Sequence, residues 1–365
     1  MQEIQLILAQ AQTVLAQLAF QALAVLGLAL AWLLVAIGSR DRHYHAWRRF
    51  FGDVAATAVA FGLLWLVVLA TAWPALLERV GNVLGPLLAA LAALWLVVQA
   101  CLARALASPV RWRQVAGTWL TALGYSAALL LVVTAESWMR EPVGAALIDG
   151  RFLVIDWQQL FYNEPLVRVV LATVLGALTV FAGLLPLQQR GAAHHALRLP
   201  DRWRRALAVL GLVAGFLLVW LVSRLVGANS LGAFYDTVLQ APNDSLSGWL
   251  MRALLVLWIV TAAGLMVGLG RRRSPLTRTI GLIPVVSAPL LWCLAWWHLN
   301  VHAQAALVSG LPAVDLVSGE SAWVLTLGLV LVLVVVLAGL WVLIARWRGR
   351  DASAFDPNRS LAGAT

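Results

Sequence analysis

The side chains best suited to chemistry in this sequence are a few polar groups within long apolar runs. His298 and His302 are four residues apart, which places them on one face of a continuing helix. Two imidazoles so arranged could bind a metal ion or a haem iron; the alternative is an interfacial pair that faces water where the apolar run ends. Gln21 and Gln99 also lie inside apolar runs, where neutral amides favour hydrogen bonds between helices over a cofactor role.

Charged residues also stand at the ends of apolar runs, namely Glu136, Arg168, Arg224 and Arg252. Arginine side chains there can snorkel to the membrane interface, or the group could form a polar cluster that grips an anionic group such as a propionate or a lipid phosphate. The sequence has no phosphate-binding glycine loop, no nucleophile with a base, and no carboxylate in the middle of an apolar run. We therefore predict no catalytic residue and no metal site. The candidate cofactor-binding residues are His298, His302, Gln99, Gln21 and Arg252.

Composition assigns the chain to the membrane. Of its 365 residues, 62% are hydrophobic and 12% are charged, and the mean hydropathy is +0.88. The net charge of +10 comes from arginines that punctuate the apolar runs, which indicates membrane topology and not nucleic-acid binding. Cys101 and Cys293 each lie in an apolar run without CxxC spacing, so they support neither a zinc site nor a disulfide framework.

The hydropathy pattern predicts an all-α fold with nine transmembrane helices. The predicted spans are residues 14–37, 54–73, 85–105, 115–136, 166–186, 206–226, 249–269, 280–299 and 322–345. We expect residues 1–350 to form one transmembrane domain and the polar residues 351–365 to form a disordered tail. Alternate loops and the tail hold 20 of the 26 arginines. The positive-inside rule therefore places the N-terminus outside and the C-terminus in the cytoplasm.

The stretch with the most distinctive sequence lies between the fourth and fifth predicted spans. Residues 137–144 read SWMREPVG and residues 149–152 read DGRF. Pro142 and Gly144 stand where a helix has to stop, so we expect an ordered outer loop that follows a helix end.

This stretch resembles subunit I of the cytochrome bd quinol oxidases, in which the loop reads close to SWMQ-x-PVG followed by NGR. Residues 119–124 (WLTALG), 47–62 and 163–174 are similar to other parts of that family. Nine spans with the N-terminus outside is also the plan of the family. The resemblance therefore covers roughly residues 14–345.

The resemblance implies three haems, quinol oxidation near a long outer loop between spans six and seven, and reduction of oxygen to water. The positions of the family's haem ligands fall on Gln21, on Leu171 or Ala172, and on Leu254, and two family glutamates fall on Leu91 and Gln99. The side chains at the ligand positions do not ligate iron. The family's GRQPW signature is absent, and WHLNVH stands in that region, while the quinol loop is reduced to residues 227–248.

Three hypotheses follow from a family scaffold without its ligands. The first is a haem-poor, non-catalytic partner of a haem-bearing subunit I in an aerobic electron-transport complex of the bacterial cytoplasmic membrane. The second is a divergent quinol-oxidising oxidoreductase that binds a haem b through His298 or His302, with Arg252 near a propionate. The third is a transporter or lipid-binding protein that reuses emptied haem cavities for a small apolar ligand.

The expected partners are membrane lipid and another cytochrome bd-type subunit, with quinol as a further candidate and no nucleic acid. The three hypotheses differ in what became of the haem sites. They are distinguished by whether Gln21, Leu91, Gln99, Leu171 and Leu254 converge on voids of porphyrin size.

Overall fold

The computed structural model describes residues 2–38, 44–107, 110–140, 142–161, 164–189, 199–225, 246–269, 275–301 and 322–349. Within them the chain forms eleven α-helices and one antiparallel pair of strands. The helices are α1 (Gln2–Ile37), α2 (Tyr44–Ala72), α3 (Pro74–Ala107), α4 (Arg111–Arg140), α5 (Trp157–Phe161), α6 (Glu164–Leu184), α7 (Asp201–Leu225), α8 (Leu246–Leu269), α9 (Pro275–Ile280), α10 (Ile283–Val301) and α11 (Ala322–Gly349). The strands are β1 (Ala145–Ile148) and β2 (Arg151–Val154).

The helices confirm the prediction of a helical membrane fold with nine spans. In the described part of the chain, eight helices are long and apolar enough to cross a membrane, and α10 contains a shorter apolar segment, Ile283–Trp297. Each predicted span coincides with one of these nine helices. The orientation stays a prediction, as does the division into one domain and a tail, because residues 351–365 lie outside the described residues.

Helix α1 is longer than its predicted span, since it begins at Gln2 and not at residue 14. Hydropathy marks only the apolar part of a helix, whereas glutamine has a good helix propensity and lets the helix continue through a polar segment. At about 1.5 Å per residue, 36 residues extend about 54 Å, which exceeds the hydrocarbon core of about 30 Å. The first turns of α1 therefore reach beyond the apolar layer.

Two helices organise the bundle. Helix α1 packs against α2, α4, α6, α10 and α11, and α6 packs against α4, α7, α8 and α10 as well. A helix that is apolar on most sides is suited to such a central place. Helix α3 packs mainly against α4 and β2, and it contacts its neighbour in sequence, α2, much less.

Residues 145–154, which follow α4, form a β-hairpin, whereas the sequence predicts a loop. Strands β1 and β2 pair from Ala145↔Val154 to Ile148↔Arg151. Asp149 and Gly150 form the turn, with φ of 49° and 78°. A tight turn with positive φ at both central residues matches the right-handed twist of two strands, and the Asp-Gly pair favours it. The apolar alternation is too short for hydropathy to distinguish these strands from a loop.

The hairpin covers one end of α3 and α4. Trp138 is fully buried, and its ring meets that of Phe152 edge to face at 5.5 Å. Both belong to a small apolar cluster with Leu160 of α5 and valines and leucines of α3. The Arg79 guanidinium lies 5.6 Å from the centre of the Phe152 ring, and Arg151 forms an ion pair with Glu78. The residues of the sequence signature are therefore the interior of a small cap.

Gly144 fixes the point at which the hairpin begins. Its φ is +71°, and its carbonyl accepts hydrogen bonds from the backbone N–H groups of Ile155 (2.8 Å) and Asp156 (3.0 Å). A Cβ atom added here would collide with the Asp156 carbonyl and would touch Gln159. By contrast, a Cβ at Gly150 would meet nothing within 4 Å. Gly144 is needed for both its backbone conformation and its lack of a side chain.

We expect Gly144→Ala to lower the free energy of unfolding by about 2 to 3 kcal/mol, since left-handed backbone strain and a collision with the backbone add together. Gly150→Ala is the matched control, because it carries the strain without the collision and should cost about 1 kcal/mol. Thermal unfolding of the purified protein in detergent measures both. Equal losses in the two variants would show that the close approach at Gly144 contributes nothing.

Candidate functional site: a buried carboxylate between three helices

Glu136 is a carboxylate in the interior of the bundle. It lies in the last turns of α4 and is only 2% exposed. The sequence places it at the end of a span, where we expected an interfacial charge, and that interpretation is wrong because α1 and α10 cover it. The fourth span continues as helix to Arg140, and the hairpin folds back over the helix end. Glu136 is therefore enclosed by protein on the side where the sequence suggests water.

Three side chains donate hydrogen bonds to this carboxylate. Gln21 Nε2 donates to Oε1, Gln17 Nε2 lies 3.5 Å from the same oxygen, and Trp296 Nε1 donates to Oε2 at 3.1 Å. The contact with Gln17 is at the long limit for a hydrogen bond, whereas the one from Trp296 has an ordinary length. Gln17 and Gln21 come from α1 and Trp296 from α10, so the carboxylate joins three helices.

Helix α1 supplies these donors because its polar residues recur at helical spacing. Thr13, Gln17 and Gln21 are each four residues apart and share one face, and all three are buried. Thr13 accepts a hydrogen bond from Trp73 Nε1 at 2.8 Å. Gln12, next to this face, donates to the backbone carbonyl of Leu325 in α11. One polar face of α1 is thus hydrogen-bonded to α4, to α11 and to Trp73, which directly follows α2.

The structure places one of the predicted cofactor-binding residues, Gln21, in this cluster. Gln21 is 1% exposed and hydrogen-bonds between helices, as the favoured interpretation predicts. Gln99 is half-buried on α3, and the half-buried Arg252 lies 6.0 Å from the centre of the Trp249 ring. His298 belongs to the end of α10, and His302 lies outside the described residues. A histidine site therefore stays a prediction.

The residues at the family's ligand positions do not face a common space. Leu171 is 48% exposed on the outside of α6, while Ala172 and Leu254 are fully buried. The indole ring of Trp292, from α10, lies directly against Gly176, one turn along α6 from Ala172, where any side chain would collide with it. The Trp292 ring therefore fills the space between α6 and α10 at this level.

Among the positions that correspond to family haem ligands or glutamates, Leu91 lines a cavity. A cavity of about 340 Å³ lies between α1, α2, α3 and α4, and its lining is almost wholly apolar. Its residues include Phe20, Leu63, Trp65, Leu91, Trp95 and Tyr125. A second cavity of about 520 Å³, between α1, α4, α6 and α7, is lined by residues such as Trp32 and Phe181. Neither is lined by Gln21, Leu171 or Leu254, so these three positions do not converge on either cavity.

The residues present do not fit a haem at the ligand positions. Iron needs a histidine, methionine, cysteine or tyrosine ligand, whereas Gln21 is hydrogen-bonded to Glu136 and Leu254 is enclosed by packing. Among the described residues, no three histidine, cysteine or acidic side chains are close enough together to hold a metal ion. Sequence reasoning named Glu136 as a charge at a span end and did not connect it with α1, although the spacing of Thr13, Gln17 and Gln21 signals a polar face that needs a partner.

Replacing Glu136 by alanine should lower the free energy of unfolding by about 1 to 3 kcal/mol, because the buried donors of Gln21 and Trp296 lose their acceptor. Glu136→Gln should cost less, since its amide oxygen still accepts one of these hydrogen bonds. Thermal unfolding in detergent measures the effect. Glu78→Ala is the control, as this exposed carboxylate forms a surface ion pair worth about 1 kcal/mol or less. A loss no larger in Glu136→Ala than in the control would contradict the role given to the cluster.

Comparisons with known proteins agree with this architecture. The chain is similar over 95% of its length to a chain of the bd oxidase from Geobacillus thermodenitrificans, 99% of which is covered, with a TM-score of 0.71 and 16% sequence identity. At that identity the likeness establishes the fold. No curated protein matches the sequence. The model of the family described as cytochrome bd terminal oxidase subunit I matches residues 8–238, which is more than half of the chain. The chain belongs to the cytochrome bd terminal oxidase subunit I family.

Proposed function

We propose that this chain is a haem-poor member of its family that acts as a structural, non-catalytic subunit beside a haem-bearing subunit I. The complex would belong to aerobic electron transport in the bacterial cytoplasmic membrane. The observation that carries the proposal is the replacement of iron ligands by residues with other structural tasks. Gln21 binds Glu136, and Leu254 is part of the apolar core.

Close packing around α6, α8 and α10 supports this proposal. A Cβ at Gly183 would collide with the Pro284 carbonyl and Ala288, and one at Gly264 would collide with the Pro284 ring. Glycines at such crossings let helices approach closely, which is how membrane helices associate without a hydrophobic driving force between them. A porphyrin between these helices would need them to separate. The half of the bundle that contains Leu171, Ala172 and Leu254 is therefore suited to rigidity and not to cofactor binding.

The match in length supports a place within an oxidase complex. The similar chain of the bd oxidase from Geobacillus thermodenitrificans is covered almost completely, so the two chains are of nearly equal length. A chain with the whole scaffold can take the place of a family subunit beside a partner subunit. Many of the exposed large apolar side chains lie on α11, and the apolar span of α3 is also mostly exposed, so both helices have large surfaces for lipid or a partner.

A reduced-minus-oxidised absorption spectrum of the purified chain tests this function. We expect no stoichiometric haem in the isolated chain, because its ligand positions carry amide and aliphatic side chains. Affinity purification from native membranes should bring a second, haem-bearing subunit with it. Stoichiometric haem in the isolated chain would refute the proposal. In that case, unchanged haem content and oxygen uptake in the double variant His298→Ala, His302→Ala would exclude the alternative, a quinol-oxidising oxidoreductase that binds a haem b through these histidines.

A second candidate function, the binding of a hydrocarbon chain, is favoured by the cavity that Leu91 lines. It extends along α3 from Leu77 to Leu96, about 28 Å at 1.5 Å per residue, between helices α2 and α3 that contact each other little. Leu63 and Leu96 at its margin are largely exposed, so in a membrane the cavity is continuous with the lipid. Its apolar lining suits an acyl chain or the tail of a quinone.

Filling this cavity should displace such a chain. We expect Leu91→Trp to reduce the amount of lipid or quinone that remains after purification to well below one molecule per protein. Val97→Trp is the matched control, because Val97 is exposed on the same helix and does not line the cavity. Solvent extraction and mass spectrometry measure the amount and distinguish phospholipid from quinone. Equal retention in the two variants would exclude the cavity as the binding site.

A further inference from the structure

A line of polar side chains on α1 leads to Glu136 from one end of the helix. Gln5 is half-buried near the beginning of α1, and Gln12, Thr13, Gln17 and Gln21 follow as buried residues. From Gln5 to Gln21 the helix rises about 24 Å. Burying amide and hydroxyl groups in an apolar bundle costs free energy unless these groups form hydrogen bonds or take part in function. Helix–helix hydrogen bonds use only part of their capacity, since each amide has both donor and acceptor sites.

These polar side chains occur only between the start of α1 and Gln21. Beyond Gln21, residues 22–37 of α1 include no amide, hydroxyl or charged side chain. On α4, residues 127–133 read AALLLVV, so about 10 Å of apolar helix separates Glu136 and Thr134 from the next polar residue, Ser126. Polar side chains on α1 therefore connect Glu136 with the end at which α1 begins. Toward the other end of α1 there are only apolar side chains.

The cluster can accommodate Glu136 with and without a proton. When the carboxyl group is ionised, Gln21 Nε2 and Trp296 Nε1 donate to its oxygens, as in the structure. When it takes a proton, its O–H becomes a donor, and a rotated amide of Gln17 or Gln21 can accept that hydrogen bond through Oε1. Gln17, Gln21 and Trp296 do not titrate, so the proton belongs to the carboxyl group.

We propose that Glu136 is a proton-exchanging site that is reached from the side of the membrane on which α1 begins. A proton from that aqueous phase passes through water among the side chains of Gln5, Gln12, Thr13 and Gln17 and protonates the Glu136 carboxylate. It leaves by the same way as a hydrated proton, so the step is balanced and needs no oxidant or reductant. The site is independent of the proposed function, because it does not depend on whether the chain binds haem.

The charges near this site come from several helices. On α1 the residues that face Glu136 are neutral, and on α10 the contacting group is the Trp296 indole. On α4, Ser137 is adjacent and buried, and Arg140 follows one turn later. Arg168 of α6 is exposed, and Arg252 of α8 is half-buried. A proton at Glu136 therefore changes the charge balance at the end of the bundle that also holds these arginines.

Infrared difference spectroscopy tests the site in the full chain, reconstituted in vesicles of phosphatidylcholine and phosphatidylglycerol. We expect a change of pH to produce a carboxyl C=O band in the wild type, and Glu136→Gln to abolish it. Glu78→Gln is the matched control, since the same change at an exposed carboxylate should leave the band intact. Glu136→Asp keeps a carboxyl group and should shift the band, which separates the loss of the group from a loss of the fold. An unchanged band in both Glu136 variants would overturn the proposal.

The rate of the same band tests the route. After a pH jump on one side of oriented vesicles, the band should appear rapidly only when the jump is on the side where α1 begins. Gln17→Leu should slow its appearance about tenfold, equivalent to about 1.4 kcal/mol in the barrier. Gln10→Leu is the matched control, because Gln10 is exposed on the same helix. An equal rate from both sides, or equal slowing in the two variants, would refute access along α1.

Discussion

A carboxylate inside a membrane bundle needs hydrogen-bond donors within reach, and Glu136 finds them on two other helices. The donors of Gln21 and Trp296 can meet it only if α1, α4 and α10 keep their depth and rotation relative to one another. Apolar packing tolerates small sliding of helices, whereas a buried polar contact that is lost leaves its groups unsatisfied. The cluster therefore fixes the register of the central helix α1, around which α2, α6 and α11 also pack.

The same contact links helices in a way that needs no cofactor. In a haem protein, ligands from different helices are held in register by the cofactor. Here an amide at position 21 and a carboxylate on α4 join two helices directly. On the other side of the bundle, the Trp292 ring against Gly176 joins α6 and α10 by close packing. The two arrangements differ in chemistry, and each is a direct contact between helices.

Hydropathy was sufficient to predict nine helices, because each span must bury its backbone groups in helical hydrogen bonds and must be apolar enough for lipid. It could not predict the true start of α1, since glutamines continue a helix without raising hydropathy. Nor could it predict the hairpin, whose strands have four residues each. The interhelical role of Gln21 was predictable from its place in an apolar run. Its partner Glu136 was not, because a charge at a span end is compatible with water until the fold shows what covers it.

The residues that carry the family resemblance and the residues that carry family chemistry lie in different parts of the molecule. Trp138, Gly144 and Phe152 form the cap over α3 and α4, where positive φ, ring packing and close backbone approach restrict the residue type. Ligand positions such as Leu171 and Leu254 lie in the spans, where any apolar side chain satisfies the fold. A chain can therefore keep the cap and the helical scaffold while its interior takes another use. The buried carboxylate at the end of α4 lies directly before the cap, so it joins the cap to the interior of the bundle.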